Sequence, residues 1–317
     1  MKAALVLKTG QAPVYGDFSE PVASEEEHRI AVTAASLSHV TRSRASGTHY
    51  STSGQIPFVV GIDGVGRLAD GRRVYFVLPT APFGSMAEQS RVKASHCLAL
   101  PDALDDVTAA AIAIPGMSSW AALQETAKLQ AGETVLVNGA TGISGRLAVQ
   151  IAKYLGAKKV IATGRNTEAL KSLAPLGADL TIPLGEDGKA LEKAFLEPFH
   201  EGVDVVLDYL WGESMERLLV AAAKAGEEGV PIRCIQIGGA SASSISLPNQ
   251  VLRASALQLM GSGIGCVPFN RLLKAIEGVL QATVPGHFEI ATTPVPLSNV
   301  EDAWSREIPQ SRTVFLV

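Results

Sequence analysis

The chain has 317 residues, 47% hydrophobic and 18% charged, the composition of an ordinary globular protein rather than a disordered one. Lysine and arginine number 27 against 31 aspartates and glutamates, a net charge of −4 with no basic run, which argues against a nucleic-acid surface. The length suffices for two domains, each with its own core.

No apolar stretch spans a bilayer without interruption by Gly, Pro or charge, and the apolar part of residues 1–8 is too short for a signal peptide, so a cytosolic protein is expected. Cys97, Cys234 and Cys266 are scattered, with no Cys-x-x-Cys spacing. They are expected to be buried as small apolar side chains rather than paired or metal-bound.

Residues 1–112 read as mostly β. Strands are expected at 3–7 and 29–35, separated by a segment whose Glu25, Glu26 and Glu27 read as a solvated loop. A polar loop at 34–50 follows, carrying Ser38, His39, His49 and Tyr50, and loops held by strands often carry function. Gly61, Gly64 and Gly66 interrupt a β-like run, the pattern of a bent strand or of close backbone packing. Asp70-Gly71 signals a hairpin into a strand at 73–77, and short strands at 84–92 and 97–101 complete a partly open barrel.

From 113 to 261 strands and helices alternate, as a doubly wound parallel sheet requires. The apolar run Thr134-Val135-Leu136-Val137 reads as a buried parallel strand, followed by a glycine-rich turn at 138–145. A helix then places Leu147, Ala148, Ile151, Ala152 and Leu155 on one face, and Gly156 ends it. A second strand at 160–162 stops at Thr163-Gly164-Arg165-Asn166. Small residues in such a turn let the backbone approach a pyrophosphate at a helix N-terminus, where amides and the helix dipole favour an anion. Ala140-x-Gly142-x-x-Gly145 fits the dinucleotide fingerprint with alanine first, and Gly139 gives an overlapping Gly-x-x-Gly-x-x-Gly. Gly139, Ala140, Thr141, Gly142, Ile143, Ser144 and Gly145 are therefore the expected cradle, with Thr163, Gly164, Arg165 and Asn166 after the second strand. An NAD site places a carboxylate about twenty residues on; this chain has Arg165 there and no carboxylate until Glu168. A guanidinium fork suits a 2′-phosphate, so NADPH is expected over NADH, the alternative for Arg165 being a solvated loop arginine.

Helices are expected at 167–173, with Asn166 as N-cap, and at 189–195 and 215–225; strands are expected at 178–182, 203–208, 232–239 and 256–260. The 208–212 stretch, with Leu210, lies at a carboxyl edge where such sheets bind ligands, and the fifth strand runs into Gly238 and Gly239. Beyond 262 come a helix at 270–280, a capping-box pattern of Ser298 and Glu301, and a strand at 312–317.

The ordered set of motifs resembles the medium-chain dehydrogenases/reductases. Gly61-Ile62-Asp63-Gly64-Val65-Gly66, Gly71-Arg72-Arg73-Val74, Gly84-Ser85-Met86-Ala87-Glu88 and Leu100-Pro101 look like their catalytic domain, and 111–123 like the lead-in to their cofactor domain. Gly139-x-x-Gly142-x-x-Gly145 is similar to their quinone oxidoreductase, zeta-crystallin-like branch. The resemblance implies an α/β architecture: a GroES-like partly open β-barrel at 1–112, a Rossmann domain at 113–261, and a return of 262–317 to the first domain. It implies a zinc-independent enzyme, since the four-cysteine lobe of zinc members is missing, no cysteine precedes Cys97, and His39 and His49 are isolated. Hydride would pass from NADPH to a quinone or to an alkene conjugated to a carbonyl, with Gly238 and Gly239 beside the nicotinamide and Arg306 approaching the cofactor.

Ser38, His39 and Tyr50 would line the substrate cleft, although relatives often carry Asn and Asp where this chain has Ser38-His39-Val40-Thr41. Tyr50 is the candidate proton donor to an alkene, or else an ordinary tyrosine packed at a domain edge. Related proteins pair the edge of the sixth strand across a two-fold, so a homodimer is implied. The rival readings are an enoyl- or acryloyl-thioester reductase of the same superfamily and an NADPH-binding sensor without turnover.

Overall fold

A computed structural model describes residues 1–47, 56–185, 187–306, 308 and 310–317. Two compact units emerge: Met1–Ala113 with Thr283–Pro285 and Ile290–Val317, and Ile114–Ala282 with Gly286–Glu289. His49 and Tyr50 lie outside the described residues.

The first unit contains β1 (Lys2–Val6), β2 (Val14–Asp17), β3 (Glu27–Ser36), α1 (His39–Ala45), β4 (Phe58–Val59), β5 (Asp63–Arg67), β6 (Arg73–Val77), β7 (Gln89–Lys93) and β8 (Cys97–Ala99). The helix α2 (Asp106–Ala121) carries the chain into the second unit. There follow β9 (Thr134–Asn138), α3 (Ile143–Tyr154), β10 (Lys159–Gly164), α4 (Thr167–Lys171), β11 (Leu180–Pro183), α5 (Gly188–Glu201), β12 (Val205–Asp208) and α6 (Gly212–Ala225). The unit continues with β13 (Ile232–Gln236), α7 (Asn249–Arg253), β14 (Leu257–Gly261) and α8 (Phe269–Thr283). The chain returns to the first unit with β15 (Thr292–Pro296), α9 (Val300–Trp304) and β16 (Arg312–Leu316).

In the first unit β1 lies between β2 and β4, and a larger sheet runs β15-β16-β3-β5-β6-β8, with β7 also paired to β3. The glycines of β5 are explained by close backbone approach. A side chain on Gly64 or Gly66 would run into the carbonyls of Ala34 or Ala31 on β3, whose register shifts between Val32 and Ala34. The Asp70-Gly71 turn joins β5 to β6 in antiparallel pairing, with Gly71 at φ +87°.

The second unit is a six-stranded parallel sheet in the order β11-β10-β9-β12-β13-β14. Both faces of β9 are covered, which is why Val135, Leu136 and Val137 are all fully buried. On one face Leu136, Ile161 and Val206 pack with Phe195, Phe199 and Leu218 of α5 and α6. Each such side chain contributes about 1.5–3 kcal/mol of transfer free energy.

Several expectations are corrected. The polar stretch at 34–50 holds a helix, α1, because the Ser38 hydroxyl accepts from the Thr41 amide at 3.0 Å and so caps it. Residues 84–88 precede β7 instead of forming part of it, and Gly84 packs under the carbonyls of Val59 and Val60. Glu27 belongs to β3, where its carboxylate accepts from the Thr80 hydroxyl at 2.6 Å. The helix expected at 189–195 continues through Pro198 to Glu201, since its face buries Leu191, Phe195 and Phe199.

The capping box is not formed: Ser298 lies in a short 3₁₀ turn, Asn299 starts α9, and Glu301 instead accepts from the Tyr15 amide of β2 at 3.2 Å. β15 lies outside the expected elements; it carries Pro294 and Pro296 and pairs with β16 at the end of the sheet order, where proline is tolerated. The 262–282 stretch packs in the second unit, since α8 buries Leu272 and Ala275 against Ala121. Cys234 is buried as expected, but Cys97 is half-buried and Cys266 exposed.

The core of the first unit contains an ionisable cluster. The Tyr75 hydroxyl donates to the fully buried Asp63 carboxylate at 3.0 Å. Burial pushes the Asp63 carboxyl up to about 7, against the opposing charge of Arg312 and the Tyr75 hydrogen bond. A proton held more tightly in the fold than in the unfolded chain stabilises the fold at low pH, and that contribution is lost as pH rises through about 7. Asp63→Asn removes it. Denaturant unfolding at intervals from about pH 4 to 7 should show wild-type stability falling relative to the variant; parallel curves would rule this out.

Candidate functional site

The order of the six strands reverses direction between β9 and β12, and ligands of such sheets bind where the strand ends diverge. The turn at 139–142 lies there, at the carboxyl end of β9. Its left-handed residue is Gly139, at φ +91°, while Ala140 is fully buried. The Gly-x-x-Gly-x-x-Gly register therefore describes the turn, and the overlapping alanine-first register does not. Each glycine has a separate reason. A side chain on Gly139 would strike the Leu210 side chain, one on Gly145 would run into the Gly139 carbonyl and Ala140, and Gly142 faces open space.

Gly142 is also the extended N-cap of α3, with no capping side chain and no acidic residue in the first turn. The amides opened by Ile143, Ser144 and Gly145 thus meet no competing side-chain anion.

The turn is held by hydrogen bonds from three strand ends. The Gly139 amide donates to the Thr163 hydroxyl at 3.1 Å, and the Ala140 amide to the Thr163 carbonyl at 2.7 Å. The Thr163 hydroxyl donates to Asn138 Oδ1 at 2.8 Å, and Asn138 Nδ2 donates to Asp208 Oδ1 at 2.8 Å and to the Ser214 hydroxyl at 3.0 Å. Asp208 also accepts from the amides of Leu210 and Trp211, both at 3.1 Å. Those two bonds hold Trp211 at φ +60°, a left-handed backbone costing about 1–3 kcal/mol for a non-glycine residue. Burial raises the Asp208 carboxyl above its usual range, opposed by the Asn138 amide and the two backbone donors. The Asp208 carbonyl accepts from Ile237 and Gly238, and a side chain on Gly238 would strike the Tyr209 carbonyl, so the loops after β12 and β13 are joined.

At the end of β10, Thr141 packs where a side chain on Gly164 would lie. Arg165 is exposed and opens a cleft of about 490 Å³ lined also by Leu184, Leu191, Leu210, Glu213 and Ser214. Among the described residues Arg165 has no ion-pair partner. Glu213 pairs with Arg217 one turn along α6, at 3.4 Å. Asn166 caps α4, its Oδ1 accepting from the Ala169 amide at 2.9 Å, which leaves its NH₂ donors free of the cap.

The remaining candidates belong to the first unit or fall outside the described residues. Ser38 is 3% exposed and its hydroxyl also pairs with Thr41 Oγ1 at 2.9 Å, while His39 is exposed at the start of α1. Arg306 is exposed, and its carbonyl accepts from Arg42 Nη2 at 3.4 Å. Among the described residues no group of three or more His, Cys, Asp or Glu side chains could hold a metal ion, and no helix is long and apolar enough to cross a membrane.

Sequence reasoning did not single out Asn138, Asp208 or Ser214. The available signal was a polar side chain closing each of two apolar strands; what they do depends on which strands become neighbours.

Residues 144–278 match the family described as zinc-binding dehydrogenase. A protein of Emericella nidulans, the probable NADPH-dependent quinone reductase tdiC, is 29% identical with the whole of both chains covered. The solved structure of a mycobacterial quinone oxidoreductase superposes with a TM-score of 0.85 at 22% identity, over 100% of each chain.

The family match spans less than half of the chain, and the full-length likeness is to quinone reductases.

The quinone oxidoreductase of Thermus thermophilus, solved alone and with NADPH, has a TM-score of 0.79 at 26% identity, again over 100% of each chain. In the medium-chain architecture the parallel sheet of the second unit is the Rossmann domain, and the barrel-like sheets of the first unit form the GroES-like domain.

Gly145→Ala places a methyl group against the Gly139 carbonyl, so α3 must move away from the turn. The variant should lose about 1–3 kcal/mol of stability, read by thermal unfolding. Its dinucleotide affinity should fall by at least about ten-fold, read by calorimetric titration.

Proposed function

We propose that the chain is an NADPH-dependent quinone reductase, passing hydride to a quinone or a related α,β-unsaturated carbonyl without a metal. The observation that carries this reading is the Gly139–Gly145 turn at the point of strand reversal, together with Arg165, which has no ion-pair partner among the described residues, at the mouth of the neighbouring cleft.

The residues present fit a phosphorylated dinucleotide. The cradle is filled as soon as Gly139 or Gly145 gains a side chain, α3 offers uncapped amides, and Glu213, the acid that lines the cleft among the described residues, is engaged by Arg217. The first-turn amides of α3 would hold the pyrophosphate, and Arg165 the 2′-phosphate. Leu184, Leu191 and Leu210 give the cleft an apolar wall suited to the adenine. Gly238 and Gly239 would flank the nicotinamide, at a loop tied to the Asp208 and Tyr209 carbonyls. When bound, the reduced nicotinamide supplies the hydride, so the chain's own task is to orient and to exclude water.

On the substrate side Ser38 positions α1, and His39 is the polar group it leaves exposed. Tyr50 is the proposed proton donor to an alkene, and Arg306 the proposed further cofactor contact. A homodimer is supported by β14, which ends the sheet order and exposes Leu259. The expected setting is the cytosol.

Steady-state NADPH oxidation with 1,4-benzoquinone, 9,10-phenanthrenequinone and crotonyl-thioester tests the reaction. Turnover of the quinones supports it, turnover of the thioester alone makes the chain an enoyl-thioester reductase, and tight NADPH binding with no turnover makes it a sensor. Arg165→Ala should weaken NADPH by about ten- to a hundred-fold and leave NADH nearly unchanged. Equal losses for both coenzymes would refute the phosphate contact. Light scattering should give twice the chain mass, and Leu259→Asp should shift it towards the monomer.

A further inference from the structure

A second cavity lies wholly within the first unit, and the reading above does not use it. It encloses about 440 Å³, counting the open space at its mouth. Its walls include Phe58, Val59, Val60, Ile62 and Phe83, and among the described residues the one charged side chain lining it is Arg44, in the last turn of α1.

The walls are fixed by packing. The ring of Phe83 meets Phe18 edge-on at 5.7 Å between centroids, and the Arg91 guanidinium sits 5.2 Å from the centre of the Phe83 ring. Gly61, at φ +110°, has its backbone against Ser85, and Gly84 lies against the carbonyls of Val59 and Val60, so neither position admits a side chain. The rim is therefore set before anything enters.

Arg44 differs from other half-buried arginines of the chain. Arg73 donates to Asp106, and Arg233 to Glu133. Among the described residues Arg44 has neither a hydrogen-bond acceptor for its guanidinium nor an ion-pair partner, and no carboxylate lines its cavity. Burial alone pulls its pKa down, with no neighbouring charge to oppose the desolvation. A half-buried guanidinium without an anion is costly, and an entering anion would relieve that cost.

We propose that this cavity binds the anionic group of a flat, aromatic acceptor, and that Arg44 is the specificity-determining residue for it. The apolar walls take the ring, and the guanidinium takes a carboxylate or sulfonate through paired N–H donors. The proposal rests on the reading of the chain as a quinone reductase with α1 on the substrate side. It narrows the substrate class to quinones carrying a fixed negative charge.

The test compares 1,2-naphthoquinone with 1,2-naphthoquinone-4-sulfonate in steady-state NADPH oxidation. Wild-type protein should favour the sulfonate in kcat/KM, Arg44→Gln should lower the sulfonate-to-neutral ratio by about 10–100-fold, and Arg44→Lys should retain a substantial part of it. A ratio that does not move in Arg44→Gln, or a wild type that favours the neutral quinone, overturns the proposal. Calorimetric binding of 2-naphthalenesulfonate, which accepts no hydride, gives a readout independent of turnover. Its Kd should rise at least ten-fold in Arg44→Gln, and an unchanged Kd overturns the proposal. Arg44-dependent binding of the sulfonate without turnover of either quinone would sink the quinone reductase reading and leave the anion site standing.

Discussion

The Gly139 amide rests on the hydroxyl of Thr163, which rests on the Asn138 side chain, which in turn donates to Asp208. This chain of hydrogen bonds ties the ends of β10, β9 and β12 into one surface. It is buried, so each donor that lost its acceptor would bear a desolvation penalty of about 1–3 kcal/mol. Because every member is satisfied, the turn above it has one arrangement, and an anion approaching α3 meets amides already aimed. The fold thereby supplies orientation before a ligand arrives.

The carboxylate at the end of this relay has a second role. Asp208 accepts from two consecutive backbone amides and so stabilises the left-handed Trp211, which turns the chain into α6. Through its carbonyl it also gathers the loop that begins with Ile237 and Gly238. One residue therefore couples the turn that would receive the pyrophosphate to the loop that would receive the nicotinamide. Its raised pKa follows from the burial that makes those bonds strong.

The first unit solves a different problem with similar means. Its strands approach so closely that Gly64 and Gly66 have no room for side chains, and the polar groups enclosed by that approach form the Asp63, Tyr75 and Arg312 cluster. Arg44 stands apart from that economy of pairing. Its guanidinium is withdrawn from water yet meets no carboxylate among the described residues, whereas Arg73 and Arg233 each do.

Much of this was legible in the residues alone. The apolar runs of β9, β10 and β12, the helical face of α3, the small residues of the turn and the arginine after β10 are local patterns, and a strand or a helix face needs only its own sequence to declare its period. Asn166 was readable as a cap for the same reason. What stayed hidden was whatever depended on distant neighbours. Ser38 could not be read as a cap without knowing that a helix starts behind it, and Glu301 could not be assigned to β2, 286 residues away in the chain. Pro294 and Pro296 disfavour a strand, and β15 accommodates them because it lies at the end of a sheet.

The sequence by itself determined the alternation of strand and helix, the glycine turn and the arginine that follows β10, because each is a property of a few consecutive residues. Only the tertiary structure decided which glycine takes the left-handed turn, which carboxylate anchors it, and which arginines have no ion-pair partner among the described residues. Those outcomes are set by strand order and packing, which bring together side chains that lie about 25 to 70 residues apart along the chain.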